Sequence, residues 1–81
     1  MNIVFIQGKI VEEIEYKFII NSKNKAIAIL KIELLNKSII TVKAYDKLAD
    51  FCYSRLEKGQ NLIIEGFLDS KMEIVATTIQ K

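Results

Sequence analysis

From Asn2 onward, apolar and polar side chains alternate with a period of two, the mark of strands with one face in a core. Val4, Ile6, Gly8 and Ile10 fall on one face of a first strand, and Ile3, Phe5, Gln7 and Lys9 on the other. This strand is expected from Asn2 to Ile14 and, after a kink near Glu13 to Glu15, onward from Tyr16 to Ile20. Gly8 stands where a long strand must bend to serve two sides of a barrel. Ser22-Lys23-Asn24-Lys25 is a polar turn. A second strand follows from Ala26 to Leu35, with Ala28, Leu30, Ile32 and Leu34 inward and Ile27, Ile29, Lys31 and Glu33 outward. Asn36-Lys37 makes a tight hairpin, with asparagine accepting the positive φ. The third strand, Ser38 to Tyr45, turns Ile40, Val42 and Ala44 inward and Ile39, Thr41, Lys43 and Tyr45 outward.

The period then changes. Leu48, Cys52 and Leu56 recur at i, i+4 and i+8, and Ala49 and Phe51 widen the stripe, so a helix is expected from Lys47 to Lys58. Asp46 is its expected N-cap, and Gly59 its stop. A fourth strand from Asn61 to Asp69 and a fifth from Met72 to Ile79 are joined by a short turn at Ser70-Lys71. One helix between the third and fourth strands of an otherwise all-β chain is the order of a five-stranded OB-fold barrel, a scaffold that binds oligonucleotides and oligosaccharides. The expected fold class is therefore an all-β OB-fold, as one domain over residues 1–81.

Composition narrows the chemistry. An 81-residue chain that is 51% hydrophobic and 27% charged supports one core and an ordinary soluble surface. A single cysteine, Cys52, and no histidine exclude a disulfide framework and leave no zinc constellation. No metal or cofactor is implied. The apolar start at Ile3 to Ile6 is too short to cross a bilayer and has no basic leader, so a cytoplasmic setting without membrane contact is expected. Twelve basic and ten acidic residues give a net charge of +2, which neither requires nor excludes a polyanionic partner. Glu12 and Glu13 point to opposite faces of a strand, and no phosphate-cradling glycine loop exists, so an enzyme is not expected.

Four segments in order resemble one family. Asn2 with the aliphatic alternation through Gly8-Lys9-Ile10, then Lys25-Ala26-Ile27-Ala28, then Val42-Lys43-Ala44-Tyr45-Asp46-Lys47-Leu48-Ala49-Asp50, and last Leu56-Glu57-Lys58-Gly59 with Ile64-Glu65-Gly66-Phe67-Leu68, are similar to bacterial-type single-stranded DNA-binding proteins. The chain departs from them in its short Ser70-Lys71 turn, in having no tryptophan, and in ending at Gln80-Lys81 without an acidic tail. It thus resembles the shortened relatives of that family, such as primosomal OB-fold proteins. The resemblance implies non-sequence-specific binding of single-stranded DNA, with RNA as the related alternative, in replication, recombination or repair. The competing reading is a protein-interaction module of a replication or primosome-like assembly with little DNA affinity of its own. A carbohydrate or small-ligand module is a third class, with no residue that points to it.

Binding a single strand without base specificity needs cations along the phosphates and π-faces for the bases. The outward face of strands two and three is the expected platform. It offers Lys31 and Lys43 as cations, Tyr45 as the stacking aromatic at the position of the family's aromatic junction, and Ile29 and Ile39 as apolar contacts. Lys37 on its hairpin, Lys9 beside the bend and Phe67 in the fourth strand complete the expected nucleic-acid-binding set. Tyr16 and Phe18 are secondary candidates, with core burial or a subunit contact the competing role for Phe18 and Phe67. Ile3, Phe5 and Gln7 lie on the non-core face of strand one, where exposed apolar groups mark an interface. They are the expected contact of a homodimer or homotetramer, and replication proteins are the other expected partners.

Overall fold

The computed structural model describes residues 2–20 and 23–81. In chain order the elements are β1 (Val4–Ile10), β2 (Glu15–Phe18), β3 (Ala26–Glu33), β4 (Ile39–Tyr45), α1 (Asp46–Arg55), β5 (Asn61–Leu68) and β6 (Ile74–Gln80). The strands hydrogen-bond in the order β1-β5-β6-β4-β3-β2, and β1 also pairs with β3. Five strands therefore close a barrel, and β2 extends from β3 as a flap at the end of the sheet. The helix sits between the third and fourth barrel strands, the order expected of an OB-fold.

Alternation decides what is buried. Ala26, Ala28, Leu30 and Ile32 of β3 and Val42 and Ala44 of β4 point inward with Ile6, Ile10, Leu62, Ile64, Ala76 and Ile79, and α1 adds Ala49 and Cys52. Among the described residues no polar or charged side chain is buried.

Closure depends on a missing side chain. A Cβ on Gly8 would lie 2.5 Å from Ile32 Cγ2 and 2.6 Å from the Glu33 carbonyl oxygen. The glycine thus serves close approach of two backbones, where β1 crosses β3 at Lys9↔Glu33 and Ile10↔Ile32. The kink expected near Glu13 to Glu15 falls at residues 11–14 and divides the expected first strand into β1 and β2. The two segments pair with β3 in different registers. From Ile10↔Ile32 to Glu15↔Ile29 the chain advances five positions on one side and three on the other. Two extra residues must bulge out, so the strand cannot run straight through.

Three local expectations also change. Asp46 is the first helical residue rather than the cap; Tyr45 occupies the N-cap without a side-chain bond. The Asp46 carboxylate instead accepts from the Lys25 N–H (2.6 Å) and the Ala26 N–H (3.1 Å), pinning the start of β3. Its φ of 53° lies in the left-handed region, which aspartate tolerates better than most residues. The helix ends at Arg55 and not Lys58, because Leu56 turns extended and buries its side chain. In the β3–β4 hairpin Lys37, not Asn36, takes the positive φ (73°), while the Asn36 side-chain oxygen accepts from the Ser38 N–H (3.0 Å). The β5–β6 turn repeats this three-residue design, with Met72 at φ 64°. Ser22 of the expected polar turn lies outside the described residues.

Candidate nucleic-acid interface

The outward face of β3 and β4 is ordered by their register. Ile27 opposes Tyr45, Ile29 opposes Lys43, Lys31 opposes Thr41 and Glu33 opposes Ile39. These side chains point away from the core, as the alternation requires; Ile39 is exposed and the others are half-buried. The face continues across the barrel. β4 pairs in parallel with β6 through Lys43↔Val75, and β6 pairs with β5 through Phe67↔Val75. Ile29, Lys43, Val75 and Phe67 thus form one row over four strands, flanked by Lys31 and Tyr45. Five of the expected residues share the β3–β4 platform, and Phe67 joins it through Val75.

The two platform lysines differ electrostatically. Lys31 Nζ donates to the Thr41 hydroxyl (2.7 Å), a neutral partner, and among the described residues no carboxylate pairs with it. Lys43 Nζ lies 2.5 Å from a Glu73 carboxylate oxygen and 3.6 Å from Asp69. The hydrogen bond to Glu73 pushes the Lys43 pKa upward, against the smaller opposing effect of burial. The Asp69 carboxyl is held below its ordinary value, first by the Glu73 N–H and then by the Lys71 N–H and Lys43. Lys43 is therefore an engaged cation, and a phosphate must compete for it. Sequence reasoning missed Asp69 and Glu73 because only the parallel β4–β6 join brings them to Lys43. The one local signal was a pair of carboxylates flanking a tight turn.

Lys9 and Lys37 lie elsewhere. They line a cleft of about 230 Å³ where β1 crosses β3, together with Gln7, Glu33 and Asn61. The cleft offers two cations and two amides, with one carboxylate against them.

The aromatic residues of the flap face the other way. Tyr16 opposes buried Ala28, so it turns toward α1 rather than onto the platform. Its hydroxyl donates to the Asp50 carboxylate, which raises the Tyr16 pKa. Phe18 is 77% exposed, so the expectation of core burial fails; it extends beyond the barrel edge. Phe67 is also exposed rather than in the core.

On the outer face of β1, Ile3, Phe5 and Gln7 are all exposed, Phe5 at 72%. Ile63 of β5, paired with Gln7, enlarges the apolar patch. It was missed because its exposure depends on the β1–β5 register.

No protein-family model matches the chain, and no curated protein matches it in sequence. Solved structures do match in shape. The SSB domain of a Synechococcus protein aligns at a TM-score of 0.86 with 17% identity, covering 100% of this chain and 96% of that one. The single-stranded DNA-binding protein of Thermus aquaticus aligns at 0.85 with 19% identity, covering 100% of this chain and 40% of that one. The small single-stranded DNA-binding protein of Streptomyces coelicolor aligns at 0.77 with 15% identity, over 96% of this chain and 89% of that one. The chain shares its fold with these proteins.

Proposed function

We propose that this OB-fold chain binds single-stranded DNA without base specificity, in a replication, recombination or repair setting in the cytoplasm. The reading is carried by the row that runs from Ile29 through Lys43 and Val75 to Phe67, flanked by Lys31 and Tyr45. It combines apolar surface, an aromatic ring and a cation that no carboxylate pairs with among the described residues, all on the outer face of the barrel. The shared fold with single-stranded DNA-binding proteins supports it. Tyr45 stacks a base, Lys31 holds a phosphate, Ile29, Ile39 and Phe67 give apolar contact, and Lys43 joins when its carboxylates yield. Lys9 and Lys37 lead the strand onto the β1–β3 cleft. The protein acts as a binder and not as an enzyme. Ile3, Phe5 and Gln7, with Ile63, join two copies through the outer face of β1.

Fluorescence anisotropy of a labelled oligo-dT at low salt tests the reading. Stacking on an aromatic is worth about 1–3 kcal/mol per base, so Tyr45→Ala weakens binding about fivefold or more. Lys31→Glu weakens it and flattens the salt slope by about 0.7 for each phosphate lost. No binding at high micromolar protein refutes the proposal.

The engaged state of Lys43 favours a second reading, a protein-interaction module with little DNA affinity. Under that reading Tyr45→Ala and Lys31→Glu leave oligonucleotide binding unchanged and abolish capture of a replication partner.

A further inference from the structure

The flap strand β2 ends the sheet. It pairs with β3 through Glu15↔Ile29, Tyr16↔Ala28, Lys17↔Ile27 and Phe18↔Ala26, and no strand lies on its other side among the described residues. Ladder bonds alternate along an antiparallel strand. The Ile19 N–H donates to the Lys25 carbonyl (2.9 Å), so Lys17 and Glu15 also turn their main-chain groups toward β3. The N–H and C=O groups of Tyr16 and Phe18 therefore face away from the sheet, where an added strand meets them.

The side chains along this edge are pre-arranged. The Tyr16 ring lies 4.8 Å from Tyr53 and 5.6 Å from Phe18, and its hydroxyl is tied to Asp50. Phe18 and Tyr53 are exposed on this aromatic face, while Glu15 and Lys17 are exposed on the opposite face of the strand.

We infer that β2 is a self-pairing edge: a second copy of this chain adds its own β2, antiparallel, about a two-fold axis at Tyr16. The charges select that register. A two-fold axis at Glu15 sets glutamate against glutamate and meets an opposite charge only at Glu13, outside β2, and one at Lys17 sets lysine against lysine; like charges directly across a ladder are unfavourable. An axis at Phe18 sets Lys17 against Ile19 and brings neither charged residue an oppositely charged partner. An axis at Tyr16 sets Glu15 of each copy against Lys17 of the other, so the same pair forms twice. These are the non-hydrogen-bonded positions, where side chains come closest. On the aromatic face the same register sets Tyr16 against Tyr16 and Phe18 against Ile14. The contact is isologous and closes on two copies. It is a single short strand pair, smaller than a standard interface, and uses neither the β1 patch nor the platform. It goes beyond the proposed DNA binding and does not depend on it.

A charge-swap series tests it with no nucleic acid present. Glu15 and Lys17 are exposed, so Glu15→Lys and Lys17→Glu leave the barrel folded. Each single variant sets like charges against like and loses the contact. An equimolar mixture of the two restores both pairs, since copies carrying two lysines on this face then oppose copies carrying two glutamates. Sedimentation velocity is expected to show the mixture associating with an apparent Kd about tenfold or more below that of either variant alone. The Tyr16 and Phe18 amide resonances are expected to broaden only in the mixture and in concentrated wild type. The double variant E15K/K17E associates like wild type. The inference is overturned if the mixture sediments as its components do, or if the single variants associate like wild type. Protection of the Tyr16 and Phe18 amides by an added, unrelated extended peptide, without charge-matched pairing, would assign the edge to another partner and also overturn it.

Discussion

Replacing Glu73 by glutamine is expected to strengthen oligonucleotide binding, the opposite of what removing a platform residue usually does. In the free protein Lys43 Nζ is held 2.5 Å from Glu73 and 3.6 Å from Asp69. A phosphate reaching Lys43 must displace Glu73 and then remain close to its negative charge. In water two unit charges at the Lys43–Glu73 separation attract by roughly 1.7 kcal/mol. Side-chain ordering and screening reduce an exposed pair to about 0.2–1 kcal/mol. The amide of Glu73→Gln removes the competing charge while keeping the shape, so affinity rises by about 0.5–1 kcal/mol, roughly two- to fivefold. The salt slope steepens by about 0.7, because Lys43 becomes free to neutralise one more phosphate. The assay is anisotropy of labelled oligo-dT across a salt series, on wild type, E73Q, K43Q and the double variant. In the double variant the gain disappears, since the carboxylate acts only through Lys43. Unchanged or weaker binding by E73Q, in a protein whose binding Lys31→Glu impairs, refutes the reasoning about Lys43 without touching the platform.

Gly8→Ala is expected to destabilise the fold by about 1–3 kcal/mol, read as a lower urea midpoint, because its methyl meets Ile32 and the Glu33 backbone at closure. Asp46→Ala removes the acceptor of the Lys25 and Ala26 N–H groups and leaves a strained φ, so stability falls by about 1–2 kcal/mol, read as a lower thermal midpoint. Burial pushes the Cys52 thiol from 9.0 up to about 12. The folded state then keeps a proton that the unfolded chain loses, so stability falls as pH rises from 9 toward 12. A disulfide reagent at about pH 8, near the ordinary thiol pKa, labels Cys52 only as fast as the barrel opens; immediate labelling in native buffer contradicts the burial.

The barrel was legible where a period of two met one buried face. Ala28, Leu30 and Ile32, and Val42 and Ala44, declared their inward face from the sequence, and the i, i+4 run from Leu48 to Leu56 declared the helix. The kink before β2 was legible near Glu13 to Glu15, but the register of the flap was not, because Ile14, Tyr16 and Phe18 continue the alternation while their partner register changes by two residues. The helix end was missed because Gly59, with its φ of 97°, looks like a stop. In fact that glycine shapes the next turn and donates to the Ile10 carbonyl (2.8 Å). The platform residues could be placed from alternation alone, since outward positions follow once inward ones are fixed. The state of Lys43 could not, since its carboxylates reach it only through the pairing that closes the barrel.

That closing join is short. β4 and β6 meet through only Val42↔Ile74 and Lys43↔Val75, as briefly as β1 meets β3, where β3–β4, β5–β6 and β1–β5 run as longer ladders. Lys43 and Glu73 sit on opposite sides of it, so the ammonium works as a hasp across one of the two short joins of the wall. Any anion that draws Lys43 away unfastens it. An anion on the outer surface and the seam of the cylinder thus draw on the same side chain.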